Sequence, residues 1–458
     1  MKRLFLWLKP LIKQLFDRIR NEKVKQNLLQ AIPFWSASLI TGIIAVFYAK
    51  LFILAEHLTS AIIDYNALLL FIVTPVCFIT SWYLVKRFAP FAKGSGIPQV
   101  MAAVDLATPK HNQKISKLLS IRIILVKIVS SIVMVIGGGA IGREGPTIQI
   151  AGSVFRKINE SLPAWWPRTS KKNMIMTGAA AGLAAAFNTP LGGIVFAVEE
   201  LTKMHISYFK AAIFTAVIIA GMTVQGFLGP YLYLGYPDVT TNSHVLILGV
   251  ALVAIVAGLF GSSMAKVMWR IINWKNKFKH DYQHIFFLLV CSIIMASTAY
   301  LVSVDILGSG KDLITRVLFE DDKSISWYTP LLRYLGPVLS FTTGAAGGVF
   351  APGLSGGASV GAFMASILDL ADSDANLLIL AGMVAFLTGI TRAPFTSAIL
   401  VLEMTDHNNL ILHLMLAGIT ANFVSTAVDK QSLYDHLKQM YINESLDEDE
   451  ELEMVNKP

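Results

Sequence analysis

Ala211–Leu228, Val245–Ala265 and Ile285–Val304 each run without one charged side chain. Each is close to the roughly 20 residues that cross a bilayer core as a helix. In hydrocarbon every backbone N–H and C=O must be paired within the protein, and an unbroken apolar run does this only as a helix. The composition agrees, with 54% hydrophobic and 15% charged residues over 458 positions. Tyr334–Leu368 is equally uncharged, but Gly and Pro punctuate it. That pattern predicts broken or re-entrant helices surrounded by protein.

Three phrases stand out within this apolar chain: Gly94-Ser95-Gly96-Ile97-Pro98, Gly142-Arg143-Glu144-Gly145-Pro146 and Gly347-Gly348-Val349-Phe350-Ala351-Pro352. Each sets glycines just before a proline. Proline suits the first turn of a helix, and glycine lets a backbone approach a ligand closely. Each phrase therefore predicts a helix that starts in mid-membrane with free N–H groups and a positive dipole end. Three such starts point to an anion site.

The formal net charge of +8 is read as basic loops on the cytoplasmic side rather than as a nucleic-acid surface, because no polar domain carries it. Residues 1–30 are basic with Leu and Phe between the charges, and predict an amphipathic cytoplasmic helix. The basic segments Arg156–Lys172, Lys203–Lys210 and Lys266–Lys279 are expected inside, and Gly229–His244 and Asp305–Lys323 outside.

The chain also repeats itself. Gly178…Pro190…Glu199 aligns with Gly382…Pro394…Glu403 (394 − 190 = 204), and Gly142…Pro146…Ser153 with Gly348…Pro352…Ser359 (348 − 142 = 206). A duplicated half with broken helices at matching places is the signature of a secondary transporter. The expected organisation is a basic segment 1–30, membrane repeats 31–230 and 231–440, and an acidic disordered tail 441–458.

A bare anion in hydrocarbon is costly, so dipoles and hydroxyls must replace its water. Ser95 offers a hydroxyl, though a serine before a helix also serves as an N-cap. The backbone at Val349 and Phe350 offers N–H groups. Glu144 is an anion on a helix start, able to occupy the position an anion would and to leave it when protonated. Of Glu199 and Glu200, the first aligns with Glu403 and reads as architectural. The second aligns with Met404 and suits an asymmetric role, although either could pair with Lys203. Lys127 interrupts an apolar run and is expected to face protein or water. Arg143 either sets the field at Glu144 or anchors its loop, and Arg392 has a structural hydrogen-bonding role.

Other patterns carry less. Cys77 and Cys291 read as small core residues, and His280 and His284 as loop residues rather than metal ligands. Gly308-Ser309-Gly310-Lys311 imitates the end of a phosphate loop, but no glycine stands at 305 and Asp312 replaces the Ser/Thr. There is no nucleophilic triad order or metal signature, so an enzyme is not expected.

The three phrases in this order resemble the CLC family of chloride channels and chloride/proton antiporters, from about Ile32 to Tyr434. The resemblance implies an all-α membrane protein of two inverted-topology repeats of tilted, partly broken helices. It implies a homodimer with one pore per subunit, in the lipid of the inner (plasma) membrane, with cytoplasmic termini. By motif match, chloride would be held by Ser95, Tyr434 and the Val349 and Phe350 backbone. Gly94, Gly96, Pro98, Gly145, Pro146 and Gly348 would shape the helix starts. Glu144 matches the gating glutamate and Glu200 the internal proton glutamate. The implied activity is exchange of chloride for protons without a cofactor, with a passive channel as the alternative. Many members follow the first phrase with Glu. Here Gln99 follows, with Met101 two positions on, leaving the inner vestibule without those acids.

Overall fold

The computed structural model describes residues 21–201, 210–229, 232–239, 244–320, 323–370 and 372–455. Most of the basic segment expected over 1–30 lies outside these residues, as does Lys203. The first half is built of α1 (Glu22–Asn66), α2 (Leu70–Phe88), α3 (Ile97–Asp105), α4 (Ile121–Ile136), α5 (Glu144–Ser161), α6 (Lys171–Phe187), α7 (Pro190–Phe196) and α8 (Lys210–Leu228). The second is built of α9 (His244–Lys275), α10 (Asp281–Leu301), α11 (Lys311–Phe319), α12 (Thr329–Phe341), α13 (Phe350–Ile367), α14 (Asp372–Thr391), α15 (Pro394–Thr405), α16 (Ile411–Val428) and α17 (Leu433–Val455).

Among the described residues, eight helical segments are long and apolar enough to cross a membrane. The three uncharged runs appear as α8, α9 and α10. Tyr334–Leu368 is broken between α12 and α13, where Gly344 takes φ +87°.

Two expectations are corrected. The first concerns the basic loop at 266–279, whose first ten residues are helical because α9 continues to Lys275. Their lysines find carbonyls: Lys266 Nζ donates to Val428 O at 2.6 Å, and buried Lys275 donates to Thr342 O and Thr343 O. The second concerns the tail, since α17 runs to Val455 through the segment expected to be disordered from 441. Tyr441 and Ser445 are buried, and Phe91 packs edge-on against Tyr441 with ring centroids 6.4 Å apart. Acidic composition is no obstacle to a helix, because Leu, Met and Glu are good helix formers and the helix is anchored on the core at Tyr441 and Ser445.

Small residues let the central helices pack closely. Every residue of α6 from Met174 to Phe187 is buried. A Cβ on Gly357 of α13 would collide with the Gly382 backbone of α14, so these helices cross with backbones touching.

The inverted repeat is written in reciprocal hydrogen bonds. Glu199, just past α7, accepts from Phe395 N at 3.1 Å and from Thr396 N and Oγ1 at 2.7 Å, all at the start of α15. Its mate Glu403 on α15 accepts from Leu191 N at 3.0 Å and Gly192 N at 2.8 Å, at the start of α7. Leu191 and Gly192 are the mates of Phe395 and Thr396 at the same offset (395 − 191 = 204). Contacts exchanged in this way require a local two-fold. Each carboxylate satisfies helix N–H groups that have no intrahelical partner and balances the dipole.

The architectural reading of Glu199 thus has a geometry, and Glu199→Ala is expected to lower stability by about 2 kcal/mol, the scale of charge-assisted hydrogen bonds. Thermal unfolding of the purified protein in detergent measures this, with Glu403→Ala showing a loss of similar size. An unchanged midpoint in both would remove the caps from the account.

The axis of that two-fold is also visible. Gly142 N donates to Gly348 O at 2.8 Å, and Gly348 N to Gly142 O at 2.7 Å. These residues are each other's mates, so the axis passes between them.

Candidate anion site

The helix starts converge beside that axis. The first intrahelical bonds run from Val100 N to Gly96 O, from Thr147 N to Arg143 O and from Gly353 N to Val349 O. The N–H groups of Ile97 and Gln99, of Glu144 and Gly145, and of Phe350 and Ala351 therefore have no intrahelical acceptor. Pro98, Pro146 and Pro352 stand in these first turns, where their missing N–H costs nothing. The starts touch. A Cβ on Gly145 would land on Ser95 Oγ, and one on Gly348 would meet Gly145 N and Pro146 Cδ, each at 3.2 Å.

Ser95 is buried at 1% exposure. Gly96, with φ +102°, is the N-cap of α3, and no side chain caps that helix. The Ser95 hydroxyl is thus not spent as a cap. Tyr434, in the first turn of α17, brings its hydroxyl toward Ser95, both fully buried and each outside hydrogen-bond geometry with any described group. Two buried hydroxyls without partners, next to a helix start, fit a small anion in place of water.

Glu144 is the first residue of α5 and is 1% exposed. Its Oε2 turns back over Gly142 to the side of Ala351 N at the start of α13, buried and without a hydrogen-bond partner among the described residues. Arg143 is buried beside it. Val349 and Phe350 are buried at the same start. Glu200 sits in a wide-turned segment, Ala197–Leu201, after α7, within electrostatic range of Tyr434.

Lys127 on α4 is fully buried and donates to Ala92 O at 2.9 Å and Gly94 O at 2.7 Å. It holds the loop that carries Ser95 rather than facing the anion position. Arg392, in the left-handed conformation at φ +65°, donates to Gly389 O, Ser425 O and Asp429 O. Gln99 and Met101 are buried, and Gln99 donates to Phe91 O and to Lys93 O at 2.6 Å. Gln99 therefore ties the loop and does not line a vestibule. His284 stacks on Trp82 with centroids 5.6 Å apart.

Sequence reasoning missed Tyr233. Its hydroxyl donates to Glu144 Oε1 at 3.5 Å, and its ring meets Phe187 edge-on at 5.0 Å. Phe187 leads to Phe350, and Phe350 stacks on Tyr434, both at 6.2 Å. An aromatic column thus joins the Glu144 side of the site to the Ser95 side. No local signal marks Tyr233, which lies in an irregular loop.

Residues 70–426 match the family described as voltage gated chloride channel. An H(+)/Cl(-) exchange transporter ClcA of Citrobacter koseri is 30% identical over 86% of this chain and 85% of its own length. That of Salmonella schwarzengrund is 29% identical over 91% and 90%. Among solved structures, a slow cyanobacterial Cl-/H+ antiporter superposes with a TM-score of 0.77 at 23% identity, over 91% of this chain and 98% of that one. A CLC-type fluoride/proton antiporter gives 0.75 at 20%, over 90% and 98%. With the inverted repeat and the converging helix starts, this match over most of its length makes the chain an integral membrane protein of the voltage gated chloride channel family, the CLC family.

Proposed function

We propose that the protein exchanges chloride for protons across the inner (plasma) membrane, as a homodimer with one pore per subunit and cytoplasmic termini. The observation that carries this reading is the Glu144 carboxylate lying on the start of α13, where an anion and a carboxylate compete for the same N–H groups.

When Glu144 takes a proton it loses its charge, and with it the attraction of the helix start. Chloride then replaces it, met by the hydroxyls of Ser95 and Tyr434 and the N–H groups at Val349 and Phe350. These donors hold an anion without a full positive charge, so it is bound and also released. Glu200 passes protons between the cytoplasm and Glu144. Chloride and protons are cargo, and no cofactor or catalytic chemistry enters the cycle. The relatives named as H(+)/Cl(-) exchange transporters support this reading.

Purified protein in liposomes tests it. An imposed chloride gradient is expected to drive protons uphill, and Glu200→Gln to slow that movement more than it slows chloride. Chloride flux with no coupled protons would make the protein a passive channel, and no anion flux would overturn the reading.

A further inference from the structure

The Gly308-Ser309-Gly310 loop has a twin. Gly308 and Gly310 have φ +62° and +84°, and Gly94 and Gly96 have φ +62° and +102°. Gly94 N donates to Ala345 O, and Gly308 N to Gly138 O, so each loop is tied to the other half. Lys127 holds the first loop through the carbonyls of Ala92 and Gly94. Arg333, at the equivalent position of α12 (333 − 127 = 206), donates to Leu307 O at 3.1 Å and Gly308 O at 3.2 Å. A Cβ on Gly96 would strike Gln149, and one on Gly310 would strike Ser355, its mate (355 − 149 = 206). The loop before α11 is therefore the inverted copy of the loop that presents Ser95. One span, α10, separates it from the face where Gly94 meets Lys275 and Tyr441, so it opens on the opposite face.

The copy opens on a cavity of about 260 Å³. Ser309 is buried, and its Oγ donates to Glu56 Oε1 at 2.6 Å, with its N–H 3.4 Å from the same oxygen. The first intrahelical bond of α11 is Ile314 N to Gly310 O, which leaves three N–H groups at the helix start. Arg333 lines the cavity at 3% exposure, and its Nε is buried with no hydrogen-bond partner among the described residues. Its guanidinium lies against Gly310, where a Cβ would come within 2.7 Å of Cζ. Lys311 also lines the cavity, its Nζ 5.0 Å from the centre of the Tyr233 ring, the residue that reaches Glu144. Of the acids around it, Asp305 is paired with Arg316 at 3.0 Å, and Asp64 and Asp312 are exposed. Asp305 and Asp312 also act on Arg333, but among the described residues Glu56 is the carboxylate that accepts from Ser309.

We propose that Gly308-Ser309-Gly310, the start of α11, Arg333 and Lys311 form a second site for a small monovalent anion of the halide class, in which the Glu56 carboxylate is the built-in occupant. Glu56 stands to this loop as Glu144 stands to the start of α13: a carboxylate on anion donors, in competition with a mobile anion. An anion held here lies beside Lys311 and Tyr233, on the approach to Glu144 from this face. The site is separate from the one at Ser95 and Tyr434, and its role as a loading position rests on the exchange reading above.

Bromide located by anomalous diffraction in crystals of the full chain tests the site. Glu56→Gln removes the competing charge and keeps the side chain's size, and is expected to show bromide at Ser309 and Arg333. Adding Ser309→Ala should weaken that binding about tenfold, the scale of one hydrogen bond to an ion. Ser309→Ala leaves the Arg333 anchor intact, so the loop is retained. No bromide at Ser309 in Glu56→Gln would overturn the proposal, as would full occupancy in the double variant. Bromide at Ser95 and Tyr434 is read in the same crystals. Its presence without the second peak overturns this proposal alone, and the absence of both overturns the chloride reading as well.

Discussion

Glu144→Gln is expected to pass chloride while moving no protons against their gradient. Glutamine keeps the size of the side chain and cannot carry a proton. It also loses the charge that holds the group on the start of α13, where the N–H of Ala351 faces it. An amide can still turn its oxygen toward those donors, but a neutral acceptor gains roughly half of what a charged one does. Chloride, with a full charge, then wins the position, and Tyr233 is left opposite an amide. The expected loss of proton movement is complete rather than partial, because no second acid of the described residues sits at that helix start. Paired pH and chloride electrodes on a liposome suspension separate the two fluxes. Uphill proton movement by the variant would mean that another group carries the proton across this position.

The second large effect is expected at Gly96. Its φ of +102° lies where a Cβ is strained, at a cost of about 1–2 kcal/mol. Added to that, a Cβ there would come within 2.7 Å of Gln149 Cβ and 3.0 Å of Gly145 O. Gln149 cannot yield cheaply, since its amide donates to Phe91 O at 3.0 Å and Leu118 O at 2.9 Å. Overpacking of this kind costs about 1–3 kcal/mol more. The cheapest relief is to move the Ser95 loop, and that movement takes the hydroxyl away from Tyr434. Gly96→Ala should therefore weaken chloride binding by about a hundredfold, as read by titration calorimetry. Gly152→Ala on α5 is the control. Its Cβ would meet only Val100 and Leu119 carbons at 3.5–3.6 Å, an ordinary contact, and binding should be unchanged. Wild-type affinity in Gly96→Ala would detach the conformation of this loop from the anion site.

The parts of this protein legible in its sequence are those governed by local chemistry. Apolar runs without charge mark α8, α9 and α10 because a helix is what pairs a backbone in hydrocarbon. Glycine followed by proline marks where α3, α5 and α13 begin, because those residues suit the last irregular residues and the first turn. The alignment of Glu199 with Glu403 makes both architectural before any fold is known. Failures of the reading also have local causes. The end of α9 and the helical course of α17 were hidden because charged residues signal a loop until a neighbouring carbonyl or an apolar core is there to receive one face. The resemblance makes Gln99 a missing vestibule acid, whereas the direction of a side chain in a first turn depends on which carbonyls, here those of Phe91 and Lys93, close over it.

Sequence by itself determined the class of the protein, the duplication, and the three helix starts with Glu144 on one of them. Each of these follows from residues within a few positions of one another or from two copies of one pattern. The tertiary structure alone decided that Tyr434 faces Ser95, that Tyr233 reaches Glu144, that the two-fold passes between Gly142 and Gly348, and that Gly308-Ser309-Gly310 is held by Arg333 with Glu56 on its donors. Those pairings join residues from distant parts of the chain. Such contacts are set by how two inverted halves pack against each other through glycine and alanine surfaces, and no local propensity encodes that packing.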